Sequence, residues 1–396
     1  MTLTHNPFRY GGDLGSDDLV DRKEETAQVE AAIRNGEKLL LIGPQRFGKT
    51  SILHSVDETL TRSGAMILRL NAQAFPTVGM LVENILSLVA TRLQNKVEIA
   101  IEQMGKFFSE LKPEFKYNSA AQKFSVRTSV DPFVVKTHPI KPLVDALDGL
   151  EKLARTQPRS RPVGLMIDEF RAIISRDAGG TNAEAQIRAT IQEHDRVGYV
   201  FADSQTRLLI ERNMTHSQPI YRLCSRLFIG PLARADFAAF LKEKLRQSGF
   251  VVANDRPIDK ILVFAEEVPY NVQMLAHHCW EELRARGRSK PAKLTEALVE
   301  FVLQRTVKNL DPLFTQTWTG LTSVQQRALI VVIRKQGASL SSTDAARSAG
   351  LAVSSLQSAL RSLHDQNILR EDPAVGRART RFADPFFAEW VKLTAM

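Results

Sequence analysis

A segment near the amino end of the chain joins an apolar run to a glycine-framed loop. It reads Leu39-Leu-Leu-Ile-Gly-Pro-Gln-Arg-Phe-Gly-Lys-Thr-Ser51 and fits the pattern GxxxxGK[ST] at every fixed position. Gly43 and Gly48 permit a tight backbone concavity whose N–H groups can surround phosphate oxygens, and a helix that begins near Lys49 adds the positive end of its dipole. The segment therefore predicts a strand, a phosphate-binding loop and a helix, in that order.

The loop motif predicts which residues contact each part of a bound nucleotide. Lys49 is expected to reach the β and γ phosphates, and the hydroxyl of Thr50 is expected to hold Mg²⁺. A plain glycine turn is the alternative, but the buried-type strand before the loop and the amphipathic segment after it favour phosphate binding. The predicted nucleotide-binding residues of this segment are Gly43, Pro44, Gln45, Arg46, Phe47, Gly48, Lys49, Thr50 and Ser51.

A second diagnostic stretch is an apolar strand that ends in two carboxylates, Val163-Gly-Leu-Met-Ile-Asp-Glu-Phe170. In a phosphate-loop enzyme Asp168 holds the water shell of Mg²⁺, and Glu169 polarises the attacking water as a general base. A pair of helix-capping carboxylates at a strand end is the alternative. The stretch follows the loop in an alternating α/β pattern, so the two motifs support each other.

Strand-like and helix-like segments alternate over residues 1–232, which we predict to be one nucleotide-binding α/β domain with five parallel strands. Ser204, which follows a strand at 199–203, is a candidate sensor of the γ-phosphate, and a strand-end cap is the alternative. Arg222 and Arg226 precede the last strand. Arg226 is the candidate finger toward a nucleotide on a neighbouring subunit, and structural pairing is the alternative.

Residues 96–141 interrupt this alternation with a lysine-rich insertion. Aromatic and polar residues alternate there on both sides of a turn at Asn118-Ser119, which predicts two paired strands. Cations interleaved with the aromatics could contact nucleic acid, but a solvated hairpin is the interpretation that the pattern favours. These cations are Lys112, Lys116, Lys123, Arg127 and Lys136.

The remainder of the chain is helical until its last part. Residues 233–313 predict a helical lid domain, and residues 314–396 predict three helices and a hairpin, the order of a winged helix-turn-helix. Ser341 and Asp344 resemble a capping box that opens the second of these helices. Four arginines of this domain predict contact with double-stranded DNA, and a protein-packing module with a solvated edge is the alternative: Arg361, Arg377, Arg379 and Arg381.

Composition limits the class of protein. The 396 residues are 43% hydrophobic and carry a formal net charge of +9, which fits a globular chain of several domains with an affinity for polyanions. Cys224 and Cys279 are the only cysteines, so we expect reduced thiols. The start lacks a signal-peptide pattern, and no apolar run reaches about 18 residues. We therefore predict a cytoplasmic protein without a membrane partner.

With these residues in hand, the chain resembles the archaeal-type ATPase branch of the STAND NTPases, relatives of the AAA+ ATPases. The resemblance extends over nearly the whole length in order and spacing. Its matching pieces are Asn6-Pro7-Phe8, Val20-Asp21-Arg22, Gly43 to Ser51, Leu165 to Phe170, Arg188, Pro269-Tyr270 with Gln273, and Asp384-Pro-Phe-Phe-Ala-Glu-Trp390.

The resemblance implies an ATP-binding switch with ATP or ADP and Mg²⁺ at the loop. It places Pro269 and Tyr270 near the adenine and implies a winged helix that moves with nucleotide state. The sequence departs from the family at two places: Asp203 stands where the family has Gly before its sensor Ser, and Glu267-Val268 stand where it has Gly-His. These departures do not affect the phosphate loop or the two carboxylates, so ATP binding is still expected, whereas the speed of hydrolysis stays open.

Three hypotheses follow for function. The first is an ATP-hydrolysing switch that couples nucleotide state to self-association or to a partner. The second is a DNA-binding regulator whose nucleotide site is regulatory or vestigial. The third is a protein-interaction scaffold in which the winged helix holds the ATPase closed.

Overall fold

The computed structural model describes residues 5–12, 20, 22–93, 97–118, 120–121, 123–129, 137–175, 182–204, 219–286, 292–372 and 379–396. Asp21, Lys136 and Arg377, which the sequence analysis singled out, lie outside these residues. The chain divides into two compact units. Unit one comprises Met1–Leu14, Pro44–Gly48 and Gly230–Met396, and unit two comprises Gly15–Gly43 and Lys49–Ile229. The division into three domains stays a prediction.

Unit two is built on a parallel sheet. Its strands are β1 (Lys38–Ile42), β2 (Met66–Asn71), β3 (Pro113–Asn118), β4 (Lys123–Thr128), β5 (Val163–Asp168), β6 (Val197–Asp203) and β7 (Ser225–Phe228). Five of these strands form one sheet in the order β2-β5-β6-β1-β7, with parallel pairing throughout. The predicted α/β fold class is confirmed. The order places β6 between β5 and β1, so the carboxyl ends of all three lie side by side.

Helices cover the sheet of unit two. They are α1 (Lys23–Asn35), α2 (Lys49–Arg62), α3 (Val78–Arg92), α4 (Val97–Phe107), α5 (Lys141–Thr156), α6 (Arg171–Ser175), α7 (Asn182–Gln192) and α8 (Pro219–Leu223). Every residue of β5 and β6 is buried, as expected for parallel strands covered on both faces. Two details were not predicted. Arg22 is the N-cap of α1, where the sequence analysis made no assignment, and α4 lies in the insertion, where only a hairpin was predicted.

A pair of glycines sets the distance between α1 and the sheet. Gly164 of β5 and Gly198 of β6 are partners in the register, and Ile33 of α1 packs over both. A Cβ on Gly198 would lie 2.4 Å from the Cα of Ile33, and a Cβ on Gly164 would lie 2.8 Å from its Cγ2. The close approach of α1 to the sheet therefore depends on the absence of side chains at these two positions.

Unit one is helical apart from short strands. Its helices are α9 (Arg234–Gln247), α10 (Arg256–Phe264), α11 (Pro269–Arg286), α12 (Glu296–Asn309), α13 (Asp311–Thr319), α14 (Ser323–Arg334), α15 (Thr343–Ser348), α16 (Val353–Asp365) and α17 (Pro385–Thr394). Its strands are β8 (Val251–Val252), β9 (Lys293–Leu294), β10 (Leu369–Asp372) and β11 (Arg379–Phe382). Helices α14 to α16 and the antiparallel pair β10–β11 form the predicted winged helix-turn-helix.

The helix starts of the winged helix differ from the prediction at one position. The side chain of Ser342, not Ser341, caps α15, because its Oγ accepts the N–H of Ala345 at 3.1 Å. Asp344 instead forms an ion pair with Lys335. The reciprocal capping box lies one helix earlier, at Thr322 of α14. The predicted cap was one residue too early, because Ser341 and Ser342 are adjacent and offer the same hydroxyl to the start of the helix.

Two further expectations concern the whole chain. Cys224 and Cys279 are both buried and form no disulfide with one another. None of the helices in the described ranges is long and apolar enough to cross a membrane.

Replacement of Gly198 by Ala should destabilise unit two, because the added methyl group must displace the backbone of α1. Overpacking of this kind typically costs about 1–3 kcal/mol. The measurement is the free energy of unfolding in urea. The matched control is Gly105→Ala in α4, where an added Cβ meets no atom within 4 Å. That variant should be neutral or slightly more stable, since Ala is the better helix former, and equal losses in both variants would contradict the packing argument.

Candidate active site

The two sequence motifs meet at the carboxyl edge of the sheet in unit two. Thr50, in the first turn of α2, donates a hydrogen bond from its hydroxyl to Oδ2 of Asp168 at 2.6 Å. The other oxygen of Asp168, Oδ1, accepts the N–H of Glu169 at 3.0 Å. Strand order explains the meeting, because only β6 separates the strand that leads into the loop from the strand that carries Asp168.

Glu169 and Ser204 also lie together. Glu169 has a left-handed backbone with a φ of 51°, which turns the chain sharply after β5. The hydroxyl of Ser204 donates a hydrogen bond to Oε1 of Glu169. Burial raises the pKa of Glu169, while this hydrogen bond and the charge of Lys49 act in the opposite direction. The predicted base and the predicted sensor are thus direct neighbours, and their roles stay predictions.

Lys49 is a buried cation. Its side chain is only 5% exposed, and its Nζ donates a hydrogen bond to the carbonyl oxygen of Gly43 at 2.7 Å. Burial lowers the pKa of Lys49, and the carboxylates of Glu169, Asp168 and Asp203 act to raise it again. The ammonium therefore lies in surroundings of low polarity and high negative potential, where a phosphate would have to compete with carboxylates.

Sequence reasoning missed an ion pair beside this site. Asp203, at the end of β6, is 3% exposed, and its Oδ2 lies 3.4 Å from Nε of Arg171 in α6. The carbonyl oxygen of Asp203 accepts the N–H of Gly43 at 3.3 Å, so the same residue anchors the start of the phosphate loop. The only sequence signal was a carboxylate at the end of a buried strand, where the resembled family has glycine.

The loop tip, Pro44–Gly48, groups with unit one. Arg46, with a φ of 69°, places its Nη1 2.5 Å from Oδ2 of Asp384 at the start of α17. Its guanidinium also lies 4.9 Å from the ring centroid of Tyr270, whose N–H donates to the carbonyl oxygen of Arg46 at 3.3 Å. Asp384 was part of the family resemblance, but nothing in the sequence indicated its contact with a residue so distant along the chain.

Phe47, at the tip of the loop, also packs within unit one. Its side chain is 1% exposed, and the guanidinium of Arg370 lies 5.4 Å from its ring centroid. Arg370, in β10, is itself buried and donates to Glu266 at 2.7 Å. Phe47 is therefore buried within unit one, whereas Arg46 contacts Asp384 and Tyr270 and stays partly exposed to solvent.

Other predicted site residues are placed as follows. Pro269 and Tyr270 begin α11, and the ring of Tyr270 meets that of Tyr10 edge-on at 5.7 Å. Their contact with adenine stays a prediction. Arg226 is exposed on the edge strand β7, in register with Leu40, and Arg222 is exposed on α8. Neither position tests whether these arginines reach a nucleotide on a neighbouring subunit.

The residues fit a nucleotide and Mg²⁺. Thr50 and Asp168 offer a hydroxyl and a carboxylate oxygen, the hard donors that Mg²⁺ prefers. Gly48 has a φ of 90°, and a Cβ built on it would meet no atom within 4 Å, so open space lies next to its backbone. Gly43 is different, since a Cβ there would lie 2.6 Å from the carbonyl oxygen of Ile229. Gly48 thus leaves room for a ligand to approach the backbone, and Gly43 allows Ile229 to pack against the start of the loop.

Comparisons with known proteins agree with this fold. No protein-family model and no curated protein sequence matches the chain. The chain is similar to the Walker-type ATPase PABY2304 of Pyrococcus abyssi, with a TM-score of 0.60, 16% identity, and coverage of 98% of this chain and 99% of that one. It is also similar to the ORC2 protein of Aeropyrum pernix in ADPNP–ADP complexes, with a TM-score of 0.50, 14% identity, and coverage of 95% and 94%. At these identities the likeness supports a common fold.

Replacement of Gly48 by Ala should weaken nucleotide binding, because a methyl group would fill the space that a phosphate needs next to the backbone. Loss of one charge-assisted hydrogen bond costs about 1.5–3 kcal/mol, which is roughly tenfold or more in the dissociation constant. The measurement is calorimetric titration with Mg-ATP. Gly64→Ala is the matched control, since Gly64 has a φ of 87° and equally open surroundings outside the loop. Both variants carry the same backbone strain, so a parallel loss of affinity in both would show that strain, not phosphate contact, is responsible.

Proposed function

We propose that the protein binds ATP with Mg²⁺, hydrolyses it, and couples its nucleotide state to the C-terminal winged helix. One observation carries the hydrolytic part: a threonine hydroxyl, two adjacent carboxylates of which the second is half-buried, and a serine hydroxyl meet at one edge of the sheet. These are Thr50, Asp168, Glu169 and Ser204. Their arrangement supports phosphoryl transfer to water, which depends on positioning and charge stabilisation more than on covalent chemistry.

Each residue has a distinct task in this proposal. Thr50 and Asp168 hold Mg²⁺, which neutralises phosphate charge when bound. Glu169 accepts a proton from the attacking water at a carboxylate oxygen. Ser204 has a single hydroxyl hydrogen, and this hydrogen is donated to Glu169. A phosphate oxygen that takes this hydrogen would leave Glu169 without it, so Ser204 can link phosphate binding to release of the base.

Glu169→Gln should retain ATP binding and lose turnover, because an amide keeps the shape of the side chain but cannot accept a proton. General-base catalysis typically contributes about 10²–10⁴-fold, and a loss of this order is expected in phosphate release. Lys49→Ala should instead abolish binding in the same calorimetric titration. Glu193→Gln, at an exposed carboxylate after α7, is the control and should behave as wild type. Normal hydrolysis by the Glu169 variant would exclude it as the base.

The contact between Arg46 and Asp384 supports the coupling. Asp384 uses both carboxylate oxygens: Oδ1 accepts the N–H of Phe386 at 3.0 Å as the cap of α17, and Oδ2 accepts Arg46. The two side chains are 36% and 19% exposed, so the ion pair is partly screened. Such a pair contributes up to about 1 kcal/mol, or roughly a fivefold change in a population. The winged helix therefore holds the centre of the loop by an interaction weak enough to be broken.

Asp384→Asn should raise ATP turnover by about two- to fivefold, because it removes the charge that restrains Arg46 while Asn still caps the helix. The measurement is steady-state phosphate release by the full-length chain, with a thermal melt to show that α17 stays folded. Glu389→Gln is the control, since Glu389 lies on the same helix and its ion pair with Lys392 is local. Unchanged or equal turnover in both variants would argue against restraint by the winged helix.

The alternative of DNA binding by the wing receives less support. The guanidinium of Arg381 is paired with Asp372 at 2.6 Å and with Glu266 at 3.4 Å. Its charge is therefore balanced by two carboxylates. Arg361 of α16 is exposed and Arg379 is half-buried. Contact of the wing with double-stranded DNA and self-association through Arg226 stay hypotheses from the sequence.

A further inference from the structure

The insertion carries a hairpin that is fixed firmly to α3. Alternate backbone N–H groups of β4 donate to side chains of α3: Phe124 to Thr91 at 3.3 Å, Val126 to Ser87 at 2.9 Å, and Thr128 to Glu83 at 3.0 Å. The three acceptors are four residues apart and so lie on one stripe of the helix. One edge of the hairpin is thereby satisfied, and its position on the helix is determined by hydrogen bonds as well as packing.

The two faces of this hairpin differ in chemistry. Phe124 and Val126 are buried on the inner face, where the ring of Phe115 also lies near that of Phe124. By register Pro113, Tyr117 and Thr128 share this inner face, and the remaining six residues lie on the opposite, outer face, where all of them are exposed. This outer face consists of Glu114, Lys116, Asn118, Lys123, Ser125 and Arg127.

The outer face is positively charged. Lys116, Lys123 and Arg127 carry three positive charges against the single carboxylate of Glu114. Within the described part of the chain, none of the three cations forms an ion pair. Glu114 accepts a hydrogen bond from the hydroxyl of Ser129 at 2.7 Å. The cations therefore face solvent outside any ion pair of the described residues, with Glu114 opposite Arg127 in the register, whereas Arg381 of the wing is paired with carboxylates.

We propose that the outer face of this hairpin binds double-stranded DNA, with the two strands lying face-on in the major groove. A major groove about 12 Å wide admits a two-stranded ribbon, whose strands are about 4.8 Å apart. Six residues of β3 extend over roughly 20 Å at about 3.3 Å per residue, enough to follow the groove past several phosphates. Lysine and arginine neutralise phosphates, and arginine, asparagine and serine can also donate to base edges.

The composition of the face favours DNA over an acidic protein. A protein interface of this kind would need an apolar centre with aromatic anchors, whereas the large apolar residues of β4 are buried on the inner face. A DNA groove is lined by phosphates. It suits a flat face of cations and small polar side chains that is held in place by hydrogen bonds to α3. The proposal is independent of ATP hydrolysis and rests on a different part of unit two.

The test replaces the three cations of the outer face in the full-length protein: Lys116→Gln, Lys123→Gln and Arg127→Gln together. Binding to a short DNA duplex of mixed sequence is measured by fluorescence anisotropy at salt concentrations between about 50 and 200 mM. Each lost phosphate contact lowers the slope of log affinity against log salt by about 1, so a fall of about 3 and a loss of at least about tenfold in affinity are expected.

The matched control removes the same charge from exposed cations of the same unit, Lys23→Gln, Arg34→Gln and Lys152→Gln. This control should keep the wild-type slope, and both triple variants should keep wild-type ATP turnover and melting temperature. Equal losses in the two triple variants would overturn the proposal, since they would indicate a net-charge effect. It would also be overturned if wild type did not bind the duplex, if only Arg361→Gln or Arg379→Gln weakened binding, or if polyglutamate or single-stranded DNA competed as well as duplex.

Discussion

The burial of the Lys49 ammonium is the physical constraint on which the site depends. An ammonium removed from water is costly unless negative charge lies nearby. The fold supplies this charge through the strand order, which brings the ends of β5 and β6 to the end of β1 and thereby places Asp168, Glu169 and Asp203 around the lysine. Burial raises the pKa of Glu169, and the charge of Lys49 acts in the opposite direction. Arg171 pairs with Asp203, so two cations, Lys49 and Arg171, lie among three carboxylates at this edge of the sheet.

The two departures from the resembled family have different physical consequences. Glu267 has a φ of 54°, a left-handed conformation that glycine adopts freely and that costs other residues about 1–2 kcal/mol. Its ion pair with Arg234 at 2.9 Å acts against that cost. Asp203 needs no such conformation, but it adds a buried carboxylate that Arg171 balances. In both places this chain has an acidic residue with an arginine partner where the family has glycine.

Most of the fold could be predicted from the sequence, and so could the approach of the phosphate loop to Asp168. The parallel sheet, the loop, the Asp168 pair and the winged helix each produce a local pattern of apolar period, glycine spacing or turn residues. The insertion helix α4 was missed although its sequence is largely apolar and its buried residues Ala100 and Met104 have helical spacing. The pairing of Arg46 with Asp384 could not be predicted, because an ion pair between distant residues leaves no periodic signal. Such contacts depend on tertiary packing alone.

The two glycines of the loop motif also coincide with the boundaries between the units. Gly43 is the last residue of unit two before the loop tip, and Gly48 is the last residue of the tip before Lys49. Gly43 is fixed by packing against Ile229, whereas nothing lies next to Gly48. A side chain is therefore excluded at Gly43 by packing, whereas at Gly48 it is disfavoured only by the left-handed φ of 90°. Gly48 thus combines a backbone conformation that glycine adopts freely with the open space that a phosphate would need.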